Sequence, residues 1–265
     1  MFVHAKQSGE LLCSQADDSQ LWTPIGVRRS AEKLAAAHKD REKLNIEGLL
    51  VVSGAGNIIR GNALKPYGIA SGLEDFLGRL ATVQNNIVLA RRLEELKVPV
   101  KVFISDNMAV CDPSLPTDYL EPYDTEAVLE AYQRERMVLI AGGTGEDNKT
   151  TDNAVMEYAR RHKVYDSAAE LLVLKGTKED GVFEDDPRKD INARRYRTIN
   201  ARYMLDNYSR FKVVDQACLE QIDATGIAMR IYADGQHDLQ FAISMNNGDV
   251  GTLVTGGDAE PVFAA

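Results

Sequence analysis

Three short glycine-containing turns each follow an apolar run in this 265-residue chain. They are Ser8-Gly9, Gly54-Ala55-Gly56 and Gly142-Gly143-Thr144-Gly145. Glycine lets the backbone approach a phosphate closely, and the N–H groups at the start of a following helix can bind it. One such turn is a weak signal, but three in succession favour a phosphate-binding edge. None has the G-x-x-x-x-G-K-[ST] or G-x-G-x-x-G pattern.

A lysine, Lys6, directly precedes the first of these turns. Phosphoryl transfer needs cations, N–H donors and Mg²⁺ around the moving group, and little covalent help from the protein. A lysine at the end of a strand could reach such a group. By position alone, an isolated lysine is more often a solvated surface charge, so the remaining motifs must decide between the two interpretations.

Short apolar runs alternate with longer helical stretches, which is typical of βα units around a mostly parallel sheet. Several runs are continuously apolar, as in strands covered by helices on both faces. Strands are predicted at Phe2–Lys6, Gly48–Val52, Val98–Ile104, Met137–Ala141, Leu171–Lys175, Phe211–Val214, Ala228–Tyr232 and Thr252–Thr255. Helices are predicted around Arg28–Lys43, Asp75–Lys97, Thr125–Arg136, Thr151–His162 and Asp215–Thr225. In such sheets, ligands bind at the carboxyl ends of the strands.

The length suits one large α/β domain. A soft division before Met137 predicts two lobes of one sheet, at about residues 1–136 and 137–265. The tail after Val254 is expected to be loosely held.

Composition and charge exclude several classes of function. Hydrophobic residues make up 44% and charged residues 27%, the balance of an ordinary soluble globular protein. The net charge of −9 disfavours a nucleic-acid partner, because a phosphate backbone is bound by a clustered basic surface. No apolar stretch is long enough to span a bilayer and the N-terminus lacks the pattern of a signal peptide. A cytoplasmic protein with no membrane partner is therefore expected.

The cysteines and histidines of the chain are predicted to form neither disulfides nor metal sites. Three widely spaced cysteines have neither a zinc spacing nor a disulfide framework, so free thiols are expected. They are Cys13, Cys111 and Cys218. The four histidines share no ligand spacing, and no protein-bound metal site is predicted. They are His4, His38, His162 and His237.

Seven strings, in order, resemble those of uridylate kinases, the UMP kinases of the amino-acid-kinase superfamily. They are AKQSGE, VVSGAGNIIRG, DFLGRLATVQN (close to D-x-M-G-M-L-A-T-V-M-N), AGGTGEDNKTTD (close to A-G-T-G-N-P-F-F-T-T-D), LKGTKEDGVFEDDPRKD, FKVVD and VGTLV. Each is modest alone, but their order and spacing from Lys6 to about Val254 are specific. LATVQN with TKEDGVFEDDP indicates the uridylate branch rather than acetylglutamate, aspartate or carbamate kinases.

The resemblance implies a three-layer αβα sandwich of the amino-acid-kinase or carbamate-kinase-like fold. It implies ATP-dependent phosphorylation of UMP to UDP in pyrimidine nucleotide synthesis, with Mg²⁺ arriving on ATP. It also implies a homohexamer built from dimers. The acceptor and phosphate side would lie in the N-terminal lobe and the ATP side in the C-terminal lobe.

The same resemblance implies roles for individual residues. The catalytic residues would be Lys6, Arg60 and Asp152, with Lys6 neutralising charge on the transferring group and Asp152 organising that lysine. The ATP site would comprise Lys6, Gln7, Ser8, Gly9, Gly56, Arg60, Thr177, Phe183 and Asp186. The UMP site would comprise Ala55, Asp75, Thr144, Gly145, Thr150 and Thr151. Plainer roles stay open: Asp75 and Asp152 could be helix N-caps, and Phe183 could be packing alone. Lys175 and Lys178 are expected to add positive charge near the donor.

Some positions depart from the family pattern. Ala55 replaces the middle glycine of a triple glycine, which is tolerable only if φ is negative there. Glu146-Asp147-Asn148-Lys149 replaces Asn-Pro-Phe-Phe, removing two aromatics from the acceptor loop. Ala90 and Glu94 replace an arginine and a histidine associated with GTP activation, so GTP regulation is expected to be absent or altered.

Two other functions remain open at this point. One is a kinase of the same fold that acts on another small phosphate, phosphonate or carboxylate. The other is a non-catalytic nucleotide-binding or storage protein, because molybdenum storage proteins share the fold and a G-A-G turn. The retention of Lys6, Arg60, Asp75 and Asp152 disfavours a storage role.

Overall fold

A single mixed sheet forms the centre of the molecule in the computed structural model. The model describes residues 1–13, 21–59, 64–69, 72–105, 108, 120–147, 149–244 and 250–264. In this part of the chain the sheet has ten strands, in the order β10-β7-β9-β8-β6-β1-β2-β5-β3-β4. The strands are β1 Phe2–Gln7, β2 Gly48–Ser53, β3 Val100–Ile104, β4 Glu121–Pro122, β5 Met137–Ala141, β6 Leu171–Thr177, β7 Tyr196–Asn200, β8 Ala228–Ala233, β9 Thr252–Thr255 and β10 Val262–Phe263.

Helices cover both faces of this sheet. They are α1 Pro24–Lys39, α2 Leu73–Glu95, α3 Thr125–Gln133, α4 Thr151–Tyr165, α5 Ala201–Asp206, α6 Gln216–Thr225 and α7 Leu239–Ile243. Helices α1, α2 and α7 share one hydrophobic core with the sheet, and α3 to α6 share the other. The predicted three-layer α/β fold is confirmed.

The central strands show why continuous apolar runs predict buried strands. In β2, Leu50 and Val52 lie in the core under α3 to α6, whereas Leu49 and Val51 lie in the core under α1, α2 and α7. Successive side chains of a strand point to opposite faces, so a strand with helices on both sides needs apolar residues at every position.

One predicted strand is wrong. Phe211–Val214 forms turns ahead of α6, although Phe211 and Val214 are buried in the core. A short apolar run indicates burial but does not distinguish a strand from a packed turn. The strand that precedes this segment is β7, which was not predicted from the sequence and carries the exposed Arg197.

The tail is held, contrary to expectation. Val262–Phe263 pairs antiparallel with β7, and the Phe263 ring stacks on Tyr196 with centroids 4.5 Å apart. The helix α1 also begins four residues earlier than expected. Thr23 caps it by accepting a hydrogen bond from Gly26 N (3.1 Å), and Pro24 occupies the first helical position.

The sheet is continuous through both predicted lobes. Strand β5 lies between β2 and β3, while β6, β8 and β9 continue the sheet on the other side of β1. The division near residue 137 stays a prediction. Among the described helices, none is long and apolar enough to cross a membrane.

Candidate active site

The parallel register of the central strands brings the predicted chemistry to one edge of the sheet. Strands β6, β1, β2 and β5 are neighbours and run in the same direction. Lys6 is in register with Val52 on one side and with Lys175 on the other. All three glycine turns follow the carboxyl ends of these strands, as expected for a ligand-binding edge.

The first two turns are in direct contact. Gly54 N donates to Gln7 O (2.9 Å), and Asn85 Nδ2 donates to Gly54 O (2.7 Å). A Cβ atom on Gly9 would lie only 2.4 Å from Gly54 O and 2.5 Å from Asn57 Oδ1. Glycine is therefore required at position 9 by close approach of the two turns, not by an unusual φ.

The second turn accommodates its alanine. The non-glycine residues of the described chain with positive φ are Asn45, Lys97 and Glu135, so Ala55 does not adopt the conformation that would strain it. Ala55 O accepts hydrogen bonds from Ile58 N (2.9 Å) and Ile59 N (3.0 Å). Gly56 is exposed at this turn. The predicted Arg60 lies outside the described residues.

A buried carboxylate joins two lysines at the centre of this edge. Asp152, in the first turn of α4, accepts a hydrogen bond from Lys175 Nζ through Oδ2. Its other oxygen, Oδ1, lies 3.9 Å from Lys6 Nζ. Asp152 is 9% exposed and Lys175 6%. The helix N-cap is Thr150, which accepts from Asn153 N (3.3 Å), so Asp152 is not the cap.

Burial and neighbouring charges have opposite effects on the pKa values of the two lysines. Burial lowers the pKa of Lys6, and the carboxylates of Asp234 and Asp215 act in the opposite direction. Burial and the nearby Lys6 ammonium lower the pKa of Lys175 to about 8. The nearby Cys218 and Asp215 act on the pKa of Lys175 in the opposite direction.

Sequence reasoning missed part of this cluster. Lys175 was expected only to add charge near the donor, but it makes the direct contact with Asp152. Asp215 and Asp234 were not predicted as site residues. Asp215 accepts a hydrogen bond from Thr150 Oγ1, and Asp234 is buried directly after β8. The available signals were the aspartate that ends the FKVVD string and an aspartate two residues after a predicted strand.

The third turn lies against α2. Its glycines at 142, 143 and 145 have φ of 84°, 59° and 77°. Gly142 N donates to Thr82 Oγ1 (2.8 Å), and Tyr158 OH donates to Gly143 O (2.7 Å). Thr144 is buried, and its Oγ1 accepts from Glu146 N (3.2 Å).

The other predicted acceptor residues lie at helix starts around this turn. Asp75 is half-buried in the first turn of α2, whose N-cap is Gly72 rather than Asp75. Thr150 and Thr151 begin α4. Thr151 Oγ1 lies 3.7 Å from where a Cβ on Gly54 would stand, so the start of α4 adjoins the second turn.

The predicted donor residues follow β6. Thr177 ends that strand, and its Oγ1 donates to Glu179 O (2.6 Å). Phe183 is half-buried and forms an isolated β-bridge with Arg195. Asp186 accepts from Arg188 N (3.1 Å), a bond that lowers the pKa of its carboxyl. Thr177 thus lies at the strand edge beside the lysines, whereas Phe183 and Asp186 lie farther along the following loop.

Two carboxylates of this edge already contact other protein side chains. Among the residues that the structure describes, no group of three or more His, Cys, Asp or Glu side chains could hold a metal. Asp152 already contacts two lysines, and Asp215 accepts from Thr150. This donor set fits Mg²⁺ held mainly by phosphates and water.

Comparison with known proteins identifies the family of the chain. A model of the amino acid kinase family matches residues 3–233. Uridylate kinase of Rickettsia prowazekii (strain Madrid E) is 30% identical over 95% of this chain and 94% of that protein. Uridylate kinase of Rickettsia canadensis (strain McKiel) is 32% identical over 87% and 86%. The crystal structure of UMP kinase from Bacillus anthracis has the same fold, with a TM-score of 0.81 at 24% identity over 100% of this chain and 98% of that one. The chain therefore belongs to the amino acid kinase family, among its uridylate kinases.

Proposed function

We propose that this protein transfers the γ-phosphoryl group of ATP to UMP, giving ADP and UDP. The observation that carries the proposal is the cluster of buried Asp152 and Lys175 with half-buried Lys6, beside three glycine turns. Phosphoryl transfer depends on positioning and on stabilisation of charge, which such a cluster provides.

The two lysines act on the charge of the phosphates. A phosphate oxygen of UMP attacks the γ-phosphorus, the bond to the β-phosphate oxygen breaks, and ADP leaves with the electron pair. The attacking oxygen is already anionic, so no general base is needed. Lys6 offsets charge on the transferring group, and Asp152 holds Lys6 and Lys175 in place despite their mutual repulsion. Mg²⁺ bound to ATP would neutralise further phosphate charge.

The ATP site takes its residues from the first two turns and from the segment after β6. Gly9 and Gly54 bring the two turns close enough to present backbone N–H groups to the phosphates. We assign the phosphates to Gln7, Ser8, Gly9, Gly56 and Arg60, and the adenosine to Thr177, Phe183 and Asp186. The assignment of Arg60 rests on its position in the sequence alone.

The UMP site lies on the α2 side of the same edge. Thr144 and Gly145 belong to the turn that α2 contacts, and Asp75 lies in the first turn of that helix. Gly54, which precedes Ala55, adjoins the start of α4, where Thr150 and Thr151 lie. We assign the ribose to Asp75 and the base and phosphate to the other five residues.

The test is ADP release measured in a coupled assay with UMP, CMP, dTMP or no acceptor. UMP-dependent release is expected, and Lys6→Ala should reduce kcat by about 100-fold or more. Lys39→Ala, which removes an exposed lysine at the end of α1, is the matched control and should be unaffected. Turnover only with another acceptor, or tight ATP binding without turnover, would contradict the proposal.

We also propose a cytoplasmic homohexamer in pyrimidine nucleotide synthesis that lacks the usual response to GTP. Family resemblance supports the hexamer, which light scattering would test. Ala90 is buried in the core under α1, α2 and α7, and Glu94 pairs with Arg91 (3.4 Å). Neither side chain supplies the charge found at these positions in GTP-activated relatives. Several-fold activation by GTP at saturating ATP and UMP would contradict the last point.

A further inference from the structure

An arginine of α2 reaches across to the loop that follows the third glycine turn. Arg79 Nη1 donates to Glu146 O (3.0 Å) and to Asp147 Oδ1 (2.8 Å). The side chain of Arg79 is only 15% exposed, whereas that of Asp147 is 52% exposed. The arginine is therefore a fixed part of the helix surface, and the loop is held against it from outside.

Helix α2 thus holds this loop at both ends. Thr82 accepts from Gly142 N at the start of the turn, and Arg79 donates to Glu146 and Asp147 at its end. Asp75, Arg79 and Thr82 are separated by four and then three residues, a spacing that puts them on one face of the helix. One rigid helix therefore sets the position of the acceptor turn and also carries Asp75.

Both partners of this ion pair occupy positions where the chain departs from the uridylate kinase pattern. Arg79 stands where the pattern D-x-M-G-M-L-A-T-V-M-N has its second methionine. Glu146 and Asp147 stand within the stretch that replaces Asn-Pro-Phe-Phe. The aromatic side chains of that stretch are lost, and a charged contact now ties the same stretch to the helix. The two departures are physically linked to each other.

We propose that Arg79 is a positioning residue for the acceptor nucleotide. By holding Glu146 and Asp147, it fixes Thr144 and Gly145 relative to Asp75, in place of the lost aromatic packing. The affinity for UMP then depends on the Arg79–Asp147 pair, whereas the affinity for ATP does not. The inference rests on the proposed UMP kinase activity, and it names the contact that shapes the acceptor half of that site.

The test compares KM for UMP with KM for ATP in Arg79→Met, Asp147→Asn and the double variant. Loss of a partly exposed ion pair should raise KM for UMP by about fivefold in each single variant, with KM for ATP changed less than about twofold. The double variant should be no worse than Arg79→Met, because both lack the bonds from Arg79 to Glu146 O and to Asp147. Arg79→Lys should fall between wild type and Arg79→Met, since one ammonium cannot reproduce the arginine fork.

The matched control is Arg91→Met, which removes an exposed ion pair elsewhere on α2 and should leave both KM values unchanged. Wild-type protein without UMP turnover would overturn the proposed function. Normal wild-type turnover combined with an unchanged KM for UMP in Arg79→Met would overturn this inference alone. Equal rises in both KM values, accompanied by a lower Tm, would assign Arg79 to general stability and would also overturn it.

Discussion

The two halves of the site are held in different ways. At the phosphate edge, Asp152 and Lys175 are 9% and 6% exposed and belong to neighbouring elements of the central core. At the acceptor loop, Glu146 and Asp147 are exposed and are tied to α2 through Arg79. A buried charge needs a partner that the surrounding core holds in place. Contacts of an exposed loop tolerate individual substitutions more easily.

This difference indicates how a kinase can keep its chemistry while its acceptor loop is rewritten. The register of β1 with β6 places Lys6 beside Lys175, and the first turn of α4 carries Asp152. The acceptor loop depends on a helix face that can exchange apolar packing for an ion pair. Substitutions at the phosphate edge should therefore have larger effects than substitutions at the acceptor loop.

The largest effect is expected for Asp152→Asn. Buried Lys175 and half-buried Lys6 would lose their shared carboxylate, so the free energy of unfolding should fall by about 3 kcal/mol. The lysines would also lose their fixed positions, and kcat should fall by about 100-fold. Urea unfolding and the coupled assay measure these two quantities, and Asp185→Asn, at an exposed position, is the control.

Combining Asp152→Asn with Lys175→Met separates the two consequences. The double variant removes one of the unpaired ammonium groups, so it should recover part of the lost stability without recovering kcat. A double variant less stable than Asp152→Asn alone would show that Lys175 has a stabilising role independent of the carboxylate.

The next effect concerns the contact between the first two turns. A methyl group at position 9 would overlap Gly54 O, so one turn must move away from the other. Gly9→Ala should raise KM for ATP about tenfold, since overpacking of this kind costs about 1–3 kcal/mol. Gly235→Ala is the control, because a Cβ there meets no atom within 4 Å. An unchanged KM for ATP would mean that the two turns do not bind the phosphates together.

A smaller effect is expected from Asp234, whose carboxylate acts on the charge of Lys6. Asp234 favours the charged form of Lys6, so Asp234→Asn should lower the pKa of Lys6 beyond the effect of burial. Because transfer needs the ammonium, the alkaline limb of the kcat profile should move to lower pH. Asp238→Asn alters an exposed carboxylate 3.9 Å from Lys33 and should leave the profile in place. An unmoved limb in Asp234→Asn would show that the limb reports another group.

The contrast between the two halves also explains what could be predicted from the sequence. The glycine turns could be predicted from local sequence patterns. The fold and the role of Lys6 could be predicted from the family motifs in their specific order. The contact of Lys175 with Asp152 could not, because it depends on how α4 packs against β6 and joins side chains 23 residues apart. Phe211–Val214 was misassigned because burial alone makes a packed turn look like a strand. The linkage of Arg79 to Asp147 was missed because two departures 68 residues apart gave no sign that they touch.

The smallest effect is expected on the acceptor side, in the middle of α2. A Cβ on Gly78 would meet no atom within 4 Å, and its φ is not positive. Gly78→Ala should therefore raise the free energy of unfolding by about 0.5–1 kcal/mol through helix propensity, with both KM values unchanged. Calorimetry and the coupled assay measure this outcome. Gly9→Ala, measured in the same way, should instead lower the free energy of unfolding because of overpacking. Destabilisation by Gly78→Ala would show that this stretch of α2 is covered in the working protein. The acceptor side would then be as closely packed as the phosphate edge, and the two halves of the site would not differ in how they are held.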